Sequence, residues 1–429
     1  MKKIKPVPII SPDILKTKNT TEKEIESAKK FNDRYLHYDE LKYRTDTEEE
    51  RNLIWTLMKI ARRLAEKKFT IHDIHFRYSL TSELSEELLI LEKRLSGLFM
   101  NGDKEVGVSR MRYNSVASFM EEAISSSILE GAAVTRKDAK AMIRKKIKPV
   151  TKGQRMVMNN YEAMENIKKI IEDDLTPELI KDMHKIIVKG TMDDGEEWEG
   201  RFREDNETVV GDLYDSEKIY HVPPRFDEIH DMIQSLCDFA NKGTEEYMHP
   251  LVKAITLHFM IGYIHPFTDG NGRLARSLFY WYSMKNGYWI MEYAAISKEI
   301  KESKEKYGLA YQYSETDEND LTYFIRFNIG CVSKALDSLE KHVERKILEK
   351  KNARRLVEEY PDLNMRQAVI LKDYAGEEPF SIIELKNRYI TAYQTMRLDV
   401  MDLMEKGLIR TVGKDGKRIF YSVVIGKTP

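Results

Sequence analysis

Apolar positions along most of this chain recur at threes and fours, the spacing of helices with one buried face. Leu251, Ile255, Phe259 and Gly262 keep that spacing up to His265. Pro266 comes next, and a residue before proline is pushed out of helical geometry, so a helix is predicted to end there. A second apolar run, Leu274 to Met284, resumes after a short polar gap, and Asn286-Gly287 stops it. Upstream, Thr47 and Glu50 have the spacing of a capping box, and Leu53, Leu57, Ile60 and Leu64 form the predicted inner face of the helix they open. Leu84, Leu88, Leu91 and Leu95 mark another helix. Ser115 to Glu130 reads as a helix closed by Gly131, which suits the left-handed position past a helix end. Thr135 to Asp138 caps a short basic helix, and a long one is predicted from Lys152 to Asp173. Thr176-Pro177-Glu178 starts the next, with proline at its first position.

Helical spacing stops over residues 191–224. Glu207 to Val210 and Lys218 to Val222 are short β-prone runs, which predicts a hairpin closed by Pro223-Pro224. Helices resume from Arg225 to Asn241 and from His249 to Ile264. Asp320-Leu321-Thr322 opens another that runs from Phe324 through Leu339 into a charge-rich stretch over 337–359. From Leu363 the pattern resets, with short helices predicted at 364–374, 381–387 and 391–406. A ribbon then starts at Gly407, turns at Lys414-Asp415-Gly416-Lys417 and returns through Ile419-Phe420-Tyr421. Residues 1–40 read as a partly irregular arm.

Composition narrows the class. The 429 residues are 41% hydrophobic and 33% charged, as expected of a helix-rich folded chain with room for several domains. A net charge of −1 gives no overall pull toward nucleic acid or membrane. The two cysteines, Cys237 and Cys331, sit in apolar helical patterns and are expected to be small hydrophobes in a reducing compartment. MKKIKPVPII has too short an apolar run for a signal peptide, and no apolar run reaches transmembrane length. The expected compartment is the cytoplasm. His72 and His75 have no cluster of further ligands that would make a metal site.

The polar gap between the central runs reads HPFTDGNGRLAR, His265 to Arg276. Asp269-Gly270 and Asn271-Gly272 are turn dipeptides, so the segment is helix, glycine loop, helix. Gly270 and Gly272 would let backbone N–H groups approach an anion, and the next helix N-terminus would add unpaired donors and its dipole. Arg273 and Arg276 share one face of that helix, where cations oppose the dipole unless a polyphosphate is bound. Asp269 is a hard oxygen ligand suited to Mg²⁺ shared with phosphates, and His265 titrates nearest neutrality, as a general base needs. Gly270 to Ala275 also fits G-x-G-x-x-A, but a dinucleotide site needs a preceding strand, and here a helix precedes. His258, seven residues before His265, reads as a core histidine. The residues alone reach metal-assisted phosphate chemistry with a histidine base.

HPFTDGNGRLAR is similar to the Fic-domain signature HxFx(D/E)GNGRxxR at every specified position. Ser126-x-x-x-Glu130-Gly131 also resembles that family's inhibitory motif, (S/T)xxxE(G/N). Gly200-Arg201-Phe202-Arg203 resembles the stretch before the family's flap, and the hairpin resembles the flap itself. The helices and ribbon after Leu363 resemble a winged helix-turn-helix, with Thr391 to Arg397 opening its recognition helix. The implied fold is mostly α: an N-terminal helical domain over 1–100, a Fic-type helical core over 101–350, and a winged helix-turn-helix over 360–429. The core would include an inhibitory helix over 115–131 and a β-hairpin flap over 205–224.

The resemblance implies transfer of AMP from ATP to a Ser, Thr or Tyr hydroxyl of a target protein, and to the chain itself. His265 would be the base and Asp269 the Mg²⁺ ligand. Gly270, Asn271 and Gly272 would hold the α-phosphate, Arg273 the β-phosphate and Arg276 the γ-phosphate. Ser126 and Glu130 would inhibit by taking Arg276, which also answers the puzzle of a carboxylate at a helix C-terminus. Flap residues Val209 and Val210 would align a target segment by backbone pairing. Two other readings stay open: removal of AMP using Glu130, or a nucleotide-responsive DNA-binding regulator. Lys414, Lys417, Arg418 and Arg397 could touch DNA phosphates, opposed by Asp399, Asp402 and Glu405 on the same helix. A homodimer is the other open partner class, and no membrane is implied.

Overall fold

A computed structural model describes residues 2–8, 20–101, 104–107, 119–211, 218–242, 246–359, 361–375, 379–389, 391–416 and 418–424. By internal contacts the chain divides into two compact units, Met1–Leu339 and Glu340–Pro429.

In the first unit, α1 (Glu22–Asp33) and α2 (Tyr38–Leu41) lead to α3 (Glu48–Ala65). Thr47 caps α3 through the Glu50 N–H, but the Glu50 carboxylate turns to the Asp46 N–H instead of completing the box. The buried stripe of α3 is Leu53, Ile54, Trp55 and Met58, whereas Ile60 and Leu64 are exposed. The predicted face is therefore right at its start and wrong at its end. There the chain passes into β1 (Glu66–Ile71), which pairs antiparallel with β2 (Ile74–Ser79), a hairpin the helical spacing did not announce. All four predicted leucines of α4 (Ser82–Leu95) are buried. A short ribbon, β3 (Leu98–Asn101) and β4 (Lys104–Gly107), follows.

The core is helical. α5 (Met120–Leu129) is covered on almost every side, and residues 115–118 of the expected helix lie outside the described residues. α6 (Arg136–Lys145) and α7 (Lys152–Ile167) pack with it through Met120, Ile124, Met142, Met156 and Val157. α7 ends at Ile167, short of Asp173. α8 (Pro177–Val188) starts with Pro177 as predicted. The hairpin is β5 (Val210–Gly211) with β6 (Ile219–His221), shorter than the two β-prone runs, and its connection over 212–217 lies outside the described residues.

After α9 (Ile229–Asn241) come α10 (Pro250–Ile264) and α11 (Asn271–Lys285), each buried nearly all round. A helix apolar on every face belongs at the centre of a fold, and these two form its axis. α12 (Ile296–Glu302), α13 (Lys304–Thr316) and α14 (Thr322–Glu359) complete the unit, α14 running on past Leu339. Both cysteines are buried and unpaired.

The second unit holds α15 (Met365–Asp373), α16 (Ile382–Tyr389) and α17 (Tyr393–Glu405), close to the predicted spans. β7 (Phe380–Ser381), β8 (Ile409–Asp415) and β9 (Arg418–Val423) form an antiparallel sheet in the order β7-β9-β8. Leu371, Phe380, Leu385, Val400 and Tyr421 are in its core. Two acids of α17 turn inward: Asp399 pairs with Arg366 at 2.8 Å, and Asp402 takes Gln367 and Lys406. Lys417 lies outside the described residues. Among the described residues no helix is long and apolar enough to cross a membrane.

Candidate active site

His265 ends α10 in a left-handed conformation, φ 48° and ψ 57°. A side chain with a Cβ pays for that geometry, so the surroundings must hold it. Arg203 does much of the holding. Its Nε donates to the His265 carbonyl at 2.9 Å, and its backbone N–H donates to the Pro266 carbonyl at 2.9 Å. The rest of its guanidinium reaches the carbonyls of Asp205 and Pro224, which flank the hairpin. One buried arginine thus ties both roots of the hairpin to the backbone of the histidine.

The loop is braced from within. Asn271 Oδ1 accepts from the Phe267 N–H at 3.1 Å, and its Nδ2 donates to the Phe267 carbonyl at 2.7 Å. The Asn271 side chain therefore shapes the loop, bridging both backbone groups of Phe267. Phe267 is fully buried and stacks on His184, ring centroids 3.6 Å apart and 6° from parallel.

Sequence reasoning missed His184. It accepts from the Gly200 N–H through Nδ1 at 3.1 Å, so its proton sits on Nε2, which donates to the Asp269 carbonyl at 2.9 Å. Burial pushes this histidine down to about 4, which keeps it neutral. Its partners lie far off in sequence, and only a helix ending beside a glycine loop could have hinted at it.

Gly270 has φ 83°, and a Cβ there would meet Val188 Cγ1 at 2.6 Å and His184 Nε2 at 3.1 Å. No side chain caps the start of α11, which leaves its first N–H groups available to an anion. α11 begins at Asn271, earlier than the apolar run suggested, so Arg273 is in its first turn and Arg276 in its second. Arg273 is fully buried; it donates to the Ile187 carbonyl at 3.1 Å and lies 3.3 Å from Asp269 Oδ2.

Arg276 lies against α5. Its Nε donates to Ser126 Oγ at 2.9 Å, and its Nη2 to Glu130 Oε1 at 2.8 Å and to the Ser126 carbonyl at 3.3 Å. Its Nη1 is buried with no hydrogen-bond partner among the described residues. Glu130 caps α5, and Gly131 follows at φ 90° as predicted. The carboxylate overhangs the loop: a Cβ on Gly272 would lie 2.2 Å from Glu130 Oε1 and 3.2 Å from Arg276 Nη1. The cation that a carboxylate at a helix C-terminus requires is Arg276.

His265 is partly buried, with Nδ1 3.4 Å from the Gly262 carbonyl. Burial pushes it down to about 4, helped by the charges of His221 and Arg203 and opposed by the Gly262 carbonyl and Glu130. Asp269 is half exposed, and one oxygen accepts from the Gly270 N–H at 2.6 Å. Its other oxygen is only loosely paired, so the carboxylate fits a hard cation, to be shared with phosphates. No group of three or more His, Cys, Asp or Glu among the described residues could hold a metal alone. His258 is a core histidine, with Nε2 2.9 Å from the Tyr307 hydroxyl. Val210 opens β5 and is partly exposed, and Val209, exposed, directly precedes the strand.

Helix, glycine loop, helix, with a hairpin rooted beside it, is the arrangement, and residues 174–283 match the family model described as Fic/DOC family, so the chain carries a Fic domain. Among curated relatives, proteins named protein adenylyltransferase Fic align from Drosophila willistoni and Drosophila mojavensis. The first is 32% identical over 139 residues, 32% of this chain and 24% of that protein. The second is 25% identical over 261 residues, 58% of this chain and 47% of that protein. The chain thus spans from about a quarter to about half the length of these relatives. Among solved structures, Fic-1 (residues 134–508) from C. elegans superposes with a TM-score of 0.51 at 15% identity, over 75% of this chain and 84% of that one. Identity that low speaks for a shared fold.

Proposed function

We propose that this chain transfers AMP from ATP to a hydroxyl of a target protein, and to itself, and that Glu130 holds the reaction off. The observation that carries the proposal is Arg276, paired with Glu130 at 2.8 Å while its Nη1 stays unspent beside Gly272. A buried guanidinium in the second turn of α11, with one nitrogen lacking a hydrogen-bond partner among the described residues, is poised for a phosphate. Gly270 and Gly272 would present backbone N–H groups to the α-phosphate, and Arg276 would take the γ-phosphate once Glu130 lets go. Asn271 would keep the loop in shape, and Arg273 would set the position of Asp269. Asp269 would hold Mg²⁺, which when bound neutralises phosphate charge.

His265, neutral above a pKa of about 4, would take the proton of the attacking hydroxyl. The hydroxyl oxygen would bond to the α-phosphorus as the bond to the β-phosphate oxygen breaks, releasing pyrophosphate. With Glu130 in place the γ-phosphate would meet a like charge, and the α-phosphate would sit out of line for attack. Val209 and Val210 would offer a strand edge to the target. The second unit would be a winged helix-turn-helix.

The test is labelled ATP with Mg²⁺, comparing Glu130→Gly with Glu130→Gly/His265→Ala. The single variant is expected to label itself and the double variant not to. Absence of label from both would sink the transferase reading. Loss of AMP from a modified protein that requires Glu130 would favour the removal reading.

A further inference from the structure

His221 ends β6, and its ring sits between two acceptors. Nδ1 is 2.8 Å from Glu315 Oε2, and Nε2 is 2.7 Å from the Tyr263 carbonyl. A neutral imidazole has one N–H, so either tautomer would turn a lone pair toward an oxygen lone pair at hydrogen-bond distance. Both contacts close only if the ring carries two protons, or if Glu315 carries the second one. The proton count is the same in either case. The groups the described residues bring against the ring are Glu315 from α13 and Tyr263 from α10, whose ring lies 5.2 Å away.

The location gives this proton a use. Tyr263 is two residues ahead of His265 on the last turn of α10. The chain leaving β6 is also held three residues later, where Arg203 takes the Pro224 carbonyl. The hairpin exit therefore has two anchors in series. Arg203 is a guanidinium and stays charged, whereas His221 is held only by the two contacts of its ring.

We propose that His221 is a positioning residue, a protonated pin that fixes β6 to the end of α10 and so sets the strand edge presenting a target hydroxyl to His265. This rests on the transferase reading above. Loss of the proton unpins β6 without touching the nucleotide seat. Transfer to protein should therefore fall as the pH rises, while the KM for ATP stays level.

Two measurements decide it. In the full chain with ¹⁵N-labelled histidine, resonances assigned with His221→Gln should show both ring nitrogens of His221 engaged in N–H bonds near neutral pH. A ring nitrogen that neither carries a proton nor accepts one from Glu315 would overturn the pin, whatever the enzyme does. In the Glu130→Gly background, self-labelling should fall about tenfold toward alkaline pH, the effect of losing one charge-assisted hydrogen bond. His221→Lys, which keeps its charge, should abolish that fall. A fall that persists in His221→Lys, or one carried by the KM for ATP, would also overturn the proposal. If no transfer occurs at all, the transferase reading fails and the nitrogen spectra still judge the pin.

Discussion

Replacing Gly272 by alanine should pry Glu130 off Arg276. The added methyl would lie 2.2 Å from Glu130 Oε1 and 2.9 Å from its Cδ, far inside contact distance. Gly272 is in the helical backbone of α11, so alanine costs nothing in φ and gains about 1 kcal/mol in helix propensity. The flexible end of Glu130 is what must give way. A charge-assisted hydrogen bond such as the 2.8 Å contact is worth about 1.5–3 kcal/mol. The Glu130 side chain is 35% exposed, and solvent screening cuts that figure to roughly 1 kcal/mol. The bond from Arg276 Nε to Ser126 Oγ at 2.9 Å is untouched and keeps the arginine anchored, while its Nη1, 3.2 Å from the methyl, has only to give by a few tenths of an ångström. A shift of roughly 1 kcal/mol moves the latched-to-open ratio about fivefold.

The assay is initial-rate self-labelling with ATP and Mg²⁺ for wild type, Gly272→Ala, Glu130→Gly and the double variant. Gly272→Ala alone should raise the rate, and it should add nothing in the Glu130→Gly background. That pattern of non-additivity identifies the carboxylate as the group the methyl displaces. Equal inhibition by Gly272→Ala in both backgrounds would refute the reasoning, because the methyl would then act on the phosphate seat and not on Glu130.

Other outcomes follow from the same geometry. His265 is neutral above about 4, so the acid limb of kcat/KM for Glu130→Gly should fall near pH 4 and not near the ordinary histidine value of 6.5. Asn271→Ala strips Phe267 of partners for a buried N–H and carbonyl, and thermal unfolding should show a loss of about 2–4 kcal/mol together with lost labelling. Arg203→Lys cannot reach the carbonyls of His265, Asp205 and Pro224 together, and labelling in the Glu130→Gly background should drop about a hundredfold with the fold intact by circular dichroism.

The sequence exposed what is encoded locally. HPFTDGNGRLAR carries its own helix stop, turn and helix start within one stretch, and the structure keeps these three. The four leucines of α4 were legible because a whole face of that helix meets the core. Ile60 and Leu64 misled because the buried face of α3 runs through Ile54, Trp55, Met58 and Arg62, and Arg62 is buried by its bonds to Asn32, Leu36 and Tyr323, a polar partner set that apolar spacing does not reveal. Asn271 also braces the loop from within, its amide bonded to the Phe267 N–H and carbonyl, a direction that spacing cannot show. His184 and His221 escaped notice for a shared reason. Each is a single histidine in an ordinary run, and its meaning lies in carbonyls and carboxylates brought up by tertiary folding.

The central claim is that AMP, and not phosphate, leaves ATP at the glycine loop. Glu130→Gly protein should be incubated in parallel with ATP labelled at the α- or the γ-phosphate. Label from the α position should stay on the protein, label from the γ position should leave in pyrophosphate, and both should vanish with His265→Ala. Label from the γ position on the protein would contradict the account.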